Sequence, residues 1–223
     1  MRNIKLTIEY DGKDFNGWQK QPNKLNIQGN IERAIETITG EKVDLNASGR
    51  TDAGVHAIAQ VANFKTNSTL PIEKWPLALN ANLKKSIRIK DAKEVDLRFH
   101  SRLTCKKKTY RYVINNSKYG TAIYRNLETH IPYKLDVIKM QNAAKYFEGE
   151  HDFKAFKASG TSSKSSVRTI YSAKIISGTL VDVGCGKIKP EEIKNIIESK
   201  NRNLAGKTLP PQGLYLVNVE YEN

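Results

Sequence analysis

The stretch from Gly49 to Ala57 places one carboxylate, that of Asp52, between two glycines. Glycines at this spacing permit tight backbone turns that a side chain would block. A polar turn between an apolar segment and a strand-like one is typical of a loop held by a scaffold, and such loops often carry function. The alternative is an ordinary surface turn with a solvated aspartate, since turns use these residue types widely. We place the chemistry of the chain in this stretch, with Asp52 as the reactive group.

The composition sets the class of protein that must position this loop. The chain has 223 residues, of which 39% are hydrophobic and 27% charged, so we expect a packed core rather than disorder. It has no apolar run long enough to span a membrane and no apolar signal core after Met1. Cys105 and Cys185 lack paired spacing, and the four histidines are scattered. These features predict a reduced, cytoplasmic protein without a metal site.

The charge distribution predicts the partner. The 37 basic and 23 acidic residues leave a net charge of +14, which favours a polyanion, nucleic acid first. Neither Phe99–Leu127 nor Phe153–Val181 contains an Asp or Glu. We interpret these two acid-free basic blocks as footprints for a phosphate backbone. The alternative is a solubilising surface.

The first half of the chain has the pattern of an α+β unit. Alternating apolar residues predict a strand from Ile4 to Tyr10, and spacings of three and four predict a helix over 27–39. Asn26 is suited to cap that helix and Gly40 to end it. The remaining predictions are a short strand at 43–45, strands at 56–65 and 87–95, a helix at 71–83, and a boundary between halves at 103/104.

The second half opens with a basic strand from Lys106 to Ile114. Its Lys106, Lys108, Tyr110 and Tyr112 share one face, which suits RNA because the charges meet phosphates and the rings meet unstacked bases. The alternative is an edge strand with solvated lysines and two core tyrosines. Further along we predict a helix capped by Asp136 and ending at 149, a mobile Ser/Gly-rich loop at 159–166, an apolar segment with turns at 178–186, a helix from 190 and a closing strand at 214–221.

Several ordered motifs together resemble the tRNA pseudouridine synthase A (TruA) family almost end to end. The matching segments are Tyr10–Gly12, Gly17–Gln19, Gly49–Ala57, Phe99–Arg102, Lys107–Tyr112, His151–Phe153, Val167–Ile170, Gly178–Gly184 and Pro211–Leu214. The resemblance implies an α+β fold of two RRM-like halves, residues 1–103 and 104–223. The halves would share a mixed, mainly antiparallel sheet, with helices on one face and a central RNA-binding cleft.

The resemblance also implies an activity. Such enzymes isomerise uridine to pseudouridine in the tRNA anticodon stem-loop, at positions 38 to 40, as homodimers that need neither cofactor nor metal. Asp52 would be the nucleophile, attacking the base or the ribose. A carboxylate can suffice because the reaction involves no redox change. Since a stacked base is out of reach, the target must flip out.

Roles for other residues follow from the same resemblance. Arg50 would fill the space that the flipped base leaves, and Tyr110 would stack on the base and is a candidate for moving the proton at C5. Leu214 would pack the pocket, and His56 stabilises the turn. We further assign substrate binding to these side chains: Gln19, Arg102, Lys106, Lys108 and Arg168.

One region departs from the family pattern. Residues 171–177 join Ile170 directly to Gly178, where the family has a strand, a glycine-rich turn and a basic residue that pairs with the catalytic aspartate. Roughly 20 residues are missing by comparison, and loss of a central strand would leave core backbone groups unpaired. We favour residues omitted from the sequence over a true deletion or a substituting basic residue. A true deletion favours the alternative function, a catalytically silent tRNA-binding or chaperone protein of the same fold.

Overall fold

A computed structural model of the chain describes residues 1–157, 165–173 and 177–222. Its strands are β1 (Arg2–Tyr10), β2 (Asn46–Ala47), β3 (His56–Thr66), β4 (Ile87–Val95), β5 (Cys105–Tyr112), β6 (Ile114–Asn115), β7 (Thr129–His130), β8 (Gly149–Asp152), β9 (Val167–Ile170) and β10 (Leu214–Tyr221). Its α-helices are α1 (Ile27–Thr39), α2 (Trp75–Asn82), α3 (Val137–Ala144), α4 (Ser177–Gly184) and α5 (Glu192–Ser199). Short 3₁₀ helices occupy Ile72–Lys74, Lys145–Phe147, Phe153–Phe156, Arg202–Leu204 and Pro211–Gly213.

The chain divides into two compact units, and the larger one contains the main sheet. This unit comprises Met1–Arg111 and Pro211–Asn223, and its strand order is β4-β1-β3-β10-β5, with β2 on β3. The pairings of β1 with β3 and β4 are antiparallel, whereas β10 runs parallel to β3. The predicted α+β class with a mixed sheet is therefore confirmed. The boundary at 103/104 remains a prediction.

Period-two alternation along β1 builds the core of this unit. Ile4, Leu6 and Ile8 are fully buried, and they belong to the same apolar cluster as Ile31 and Ile35 of α1. The predicted helix caps are confirmed. The Asn26 side chain accepts from the Gly29 amide, and Gly40 ends the helix in the left-handed region at φ 72°. A rigid sheet-and-helix layer thus supports the loops at the strand ends.

The other unit comprises Tyr112–Pro210 and has its own apolar core. Within it β6 pairs with β7 in parallel, and β8 pairs with β9 antiparallel. Gly184 lets α3 come close to α4, because a Cβ at that position would stand 2.7 Å from the sulfur of Met140. The Asp136 side chain caps α3 as predicted by accepting from the Lys139 amide.

Several local predictions are wrong. The helix predicted to run from Asp136 to 149 is α-helical only as far as Ala144 and continues as a 3₁₀ turn over Lys145–Phe147. The segment predicted to be apolar with turns at 178–186 is mostly helix α4, whose Val183 is fully buried, so packing overrides its low helix propensity. The short strand lies at Asn46–Ala47 rather than 43–45, because Leu45 is buried and its amide bonds to the Glu32 carboxylate. The predicted helix at 71–83 begins as a 3₁₀ turn and is α-helical only over Trp75–Asn82.

Two further points concern the limits of the described chain. The loop predicted at 159–166 lies mostly outside the described residues, so its predicted mobility stays a prediction. None of the helices that the structure describes has the length and hydropathy of a membrane span.

Candidate active site

The loop that carries Asp52 leads from β2 into β3, and its backbone is fixed from several sides. Trp18 donates its amide to the carbonyl of Thr51 at 3.0 Å, and Gly54 donates to the carbonyl of Phe15 at 3.3 Å. The loop also closes on itself, since the Val55 amide bonds to the Asp52 carbonyl at 3.2 Å. The side chain of Asp52 nevertheless remains exposed. An exposed carboxylate is thereby presented on a fixed backbone.

The segment at 12–18 packs directly against this loop, and glycine is required at two of its positions. A Cβ at Gly12 would stand 2.0 Å from the Val55 carbonyl oxygen. Gly17 adopts φ +83°, and a Cβ there would stand 2.5 Å from the Thr51 carbonyl oxygen. Both contacts lie far inside van der Waals distance. The close approach of these two backbones therefore depends on the missing side chains.

Buried polar side chains hold the loop from beneath. The Tyr10 hydroxyl and Thr51 Oγ1 are 2.8 Å apart, and Gln60 Nε2 donates to the Gly49 carbonyl at 2.9 Å. Ser48 Oγ donates to Gln60 Oε1 at 2.6 Å. Burial raises the pKa of Tyr10 to about 12, so its hydroxyl keeps its proton at neutral pH.

His56 begins β3 and acts as a structural residue. It is almost fully buried and stacks on Tyr215, with ring centroids 4.8 Å apart. Its Nδ1 accepts from the Gly12 amide at 3.1 Å, and Asp11 Oδ1 lies 3.1 Å from the same nitrogen. These contacts agree with the interpretation of His56 as a turn-stabilising residue, which stays a prediction.

Strand β5 brings Tyr110 and Lys108 to the loop from far along the chain. Tyr110 is 51% exposed, and the pKa of its hydroxyl is raised by burial, by Cys105 and by the charge of Asp52. The last effect indicates that the phenol lies within electrostatic range of the carboxylate. A Cβ on Gly49 would stand 2.9 Å from Lys108 Nζ, so this half-buried lysine lies against the loop.

Strand β10, which lies between β3 and β5 in the sheet, also reaches the loop. Its parallel register pairs Tyr215 with His56, which puts Leu214 at the end of the sheet where the loop enters β3. Just before it, Pro211 packs on Gly54, because a Cβ at that glycine would stand 2.9 Å from the proline Cγ.

The remaining predicted residues lie in varied surroundings. Arg50 is exposed beside Asp52, and Gln19 is half-buried next to Trp18. Arg102 is exposed, and Lys106 forms an ion pair with Glu222 at 2.6 Å. Arg168 lies on β9 in the other compact unit. Their assignment to substrate binding stays a prediction.

Sequence reasoning missed Tyr10, Gln60 and Thr51 as residues that support the loop. One signal was available, a lone glutamine within the predominantly apolar strand β3. Among the described residues, no cluster of three or more His, Cys, Asp or Glu could hold a metal ion. The predicted absence of a metal nevertheless stays a prediction.

Comparison with known proteins gives consistent similarities. The model of the family described as tRNA pseudouridine synthase matches residues 6–103, 143–178 and 174–222. The chain is 53% identical to a tRNA pseudouridine synthase A of Caldicellulosiruptor saccharolyticus, 50% identical to one of Acetivibrio thermocellus and 43% identical to one of Clostridium acetobutylicum. Each alignment covers 99% of this chain and 100% of the relative.

The same comparisons support the departure seen in the sequence. The alignments extend over 244 positions and the chain has 223 residues, so at least 21 positions have no counterpart in it. Two of the family matches meet at residues 174–178, within the region where the sequence departs from the family pattern. Both a true deletion and an omission would place residues 170–178 next to one another, so the expected omission stays a prediction. Residues 174–176 lie outside the described part.

The family match covers more than half of the chain, and the relatives align over nearly all of it. The enzyme class inferred from the motifs, an isomerase, agrees with the family description and with the names of the relatives. The chain belongs to the tRNA pseudouridine synthase family.

Proposed function

We propose that this chain converts uridine to pseudouridine in the anticodon stem-loop of tRNA, at positions 38 to 40, with Asp52 as the nucleophile. One observation carries the proposal: the exposed Asp52 carboxylate sits on a backbone fixed on both sides, within electrostatic range of Tyr110. Names of relatives that specify tRNA pseudouridine synthase A support the reaction and the RNA class.

The reaction needs one covalent catalyst and careful positioning. The C1′–N1 bond of uridine breaks, the uracil turns, and a C1′–C5 bond forms, while C5 loses a proton to solvent and N1 gains one. Atoms and electrons balance without an oxidant, so a carboxylate that attacks and later leaves is sufficient. Asp52 attacks either the base or C1′ of the ribose. The proposed route uses no cofactor and no metal.

The neighbouring side chains then act on the flipped nucleotide. Arg50, exposed two residues before Asp52, fills the space that the base leaves in the stem. Tyr110 offers a half-exposed ring for stacking, and its hydroxyl is a candidate for moving the proton at C5. Because its raised pKa keeps it protonated, the hydroxyl would accept that proton only while passing its own to solvent. Leu214 packs against the uracil at the end of the sheet.

The tRNA would be held mainly through its shape and phosphates. The acid-free block from Phe99 to Leu127 includes Arg102, Lys106 and Lys108, and the second block includes Arg168. These cations fit contacts to the RNA backbone rather than to base edges. We further propose that the fold consists of two RRM-like halves with an RNA-binding cleft, and that the enzyme acts as a homodimer on each tRNA.

A second candidate is a catalytically silent tRNA-binding protein of the same fold. The observation that favours it is the set of at least 21 alignment positions without a counterpart in this chain. The deciding experiment incubates the full chain with tRNA carrying uridine tritiated at C5 and measures tritium released to water. We expect release that requires uridine at positions 38 to 40. Tight tRNA binding without release would support the silent protein.

Salt should weaken tRNA binding strongly. Raising NaCl from 50 to 200 mM should reduce the affinity by about tenfold or more, because each cation on a phosphate releases a counterion. Arg102→Ala should lower the slope of log affinity against log salt by about one. Fluorescence anisotropy of labelled tRNA measures both quantities.

Lys24→Ala is the matched control, since Lys24 is also exposed but lies outside both acid-free blocks. It should leave the slope unchanged. A tRNA affinity that stays constant across this salt range would contradict binding through the RNA phosphates.

A further inference from the structure

Four polar side chains beneath the Asp52 loop, those of Tyr10, Ser48, Thr51 and Gln60, form a buried hydrogen-bond network with two anchor points. Gln60, the first anchor, is fully buried. Its Nε2 donates to the Gly49 carbonyl, and its Oε1 accepts from Ser48 Oγ and from the Val61 amide. Both acceptor sites of this primary amide are therefore used.

Tyr10 is the second anchor. Its hydroxyl lies 2.8 Å from Thr51 Oγ1, within hydrogen-bond distance. Tyr10 is only 3% exposed, so no bulk water competes for this bond. The bonds of Gln60 thus hold residues 48 and 49, and the bond of Tyr10 holds residue 51.

The network binds the loop on both sides of Arg50, and the side chains of Arg50 and Asp52 remain exposed to solvent. Ser48, Gly49 and Thr51 are bound from the buried side, whereas Arg50 and Asp52 are exposed. A side chain whose backbone is locked by buried bonds loses little freedom when it reacts. Buried hydrogen-bond networks also favour one geometry, because any other leaves polar groups unpaired.

We propose that Tyr10 and Gln60 are positioning residues that hold the backbone of residues 48–51 so that the Asp52 carboxylate meets the target nucleotide in the reactive geometry. Neither residue needs to touch the RNA. The inference rests on the proposed function of Asp52, and it adds that the rate depends on hydroxyl and amide groups buried under the loop.

The test removes one oxygen atom from the network. Tyr10→Phe should reduce kcat for tritium release by about 10- to 100-fold, since a misplacement near 1 Å costs about 100-fold in rate. The KM for tRNA should stay within about twofold, because the RNA contacts are untouched. Thr51→Val should behave like Tyr10→Phe, and Thr51→Ser, which keeps the hydroxyl, should retain activity.

Tyr221→Phe is the matched control. The Tyr221 hydroxyl also donates to a partner within the same unit, the Ser101 carbonyl at 2.9 Å. Within the described part of the chain, no hydrogen bond joins this hydroxyl to the Asp52 loop. Both variants lose one phenolic bond, so their midpoints of thermal unfolding should fall by similar amounts, while kcat falls only in Tyr10→Phe. Equal kcat in the two variants would overturn the proposal and leave Tyr10 with a purely structural role.

Amide hydrogen exchange separates this proposal from the proposed function. In Tyr10→Phe, exchange in a peptide spanning 48–54 should speed up about tenfold or more relative to Tyr221→Phe, because the loop loses its anchor. If the wild-type chain releases no tritium, the proposed activity fails, and the exchange rates still decide whether the network holds the loop. Unchanged exchange would overturn the positioning role whether or not the chain is active.

Discussion

Replacing Asp52 by asparagine is expected to lower kcat for tritium release from tRNA by about a thousandfold or more, since removing a nucleophile leaves only binding and electrostatic contributions to the rate. The amide has nearly the same size and the side chain is exposed, so the fold should be unaffected. Affinity for tRNA should stay equal or rise slightly as a negative charge is lost. Tritium release under saturating tRNA, with anisotropy for binding, measures the two effects separately.

Asp14→Asn is the matched control for this substitution. Asp14 is also exposed and lies in the segment that packs on the Asp52 loop, so the variant makes the same change of charge nearby. We expect it to keep the wild-type kcat. Equal tritium release from Asp52→Asn and the wild type would remove Asp52 from the mechanism.

The second large effect is expected from Gly17→Ala. The residue adopts φ +83°, which costs a residue with a Cβ about 1–2 kcal/mol, and the new methyl group would stand 2.5 Å from the Thr51 carbonyl oxygen. Forcing the two backbones apart adds about 1–3 kcal/mol. The free energy of unfolding should therefore fall by about 2–5 kcal/mol in total, as measured by urea denaturation. Because the displaced backbone adjoins Asp52, kcat should fall as well.

Gly40→Ala separates the cost of the positive φ from the cost of the steric clash. Gly40 has a similar φ of +72°, but a Cβ there would meet nothing within 4 Å. Its substitution should cost about 1–2 kcal/mol from the backbone conformation alone and leave kcat unchanged. If Gly17→Ala and Gly40→Ala lowered the free energy of unfolding equally, the packing of Gly17 on the Asp52 loop would contribute nothing to stability.

The family positions that have no counterpart near residue 174 affect how every activity measurement is interpreted. The family match identifies the class of enzyme, while at least 21 aligned positions of the relatives have no counterpart here. The groups that fix Asp52 in the structure, those of Tyr10, Thr51 and Gln60, all belong to the larger unit. The loop geometry is therefore intact within the described residues, and measured activity decides between enzyme and silent binder.

Much of the local structure was predictable because its causes lie within a few residues of each other. The strand at 2–10 follows from period-two alternation and the helix at 27–39 from an apolar stripe with a capping asparagine. The segment at 178–186 was misread because its glycines and branched residues indicate turns, whereas burial of Val183 and the close packing of Gly184 on Met140 make it helical.

The sequence by itself determined that Asp52 lies on a glycine-flanked loop and that the chain has the motifs of its family. Only the tertiary structure decided what holds that loop. Gln60, Tyr10 and Tyr110 reach the loop although they are 8, 42 and 58 residues away from Asp52 in the sequence (60 − 52, 52 − 10 and 110 − 52). Such contacts depend on strand order and register, above all on β10 inserting between β3 and β5. No periodicity within a segment encodes that order, because it results from packing the whole core.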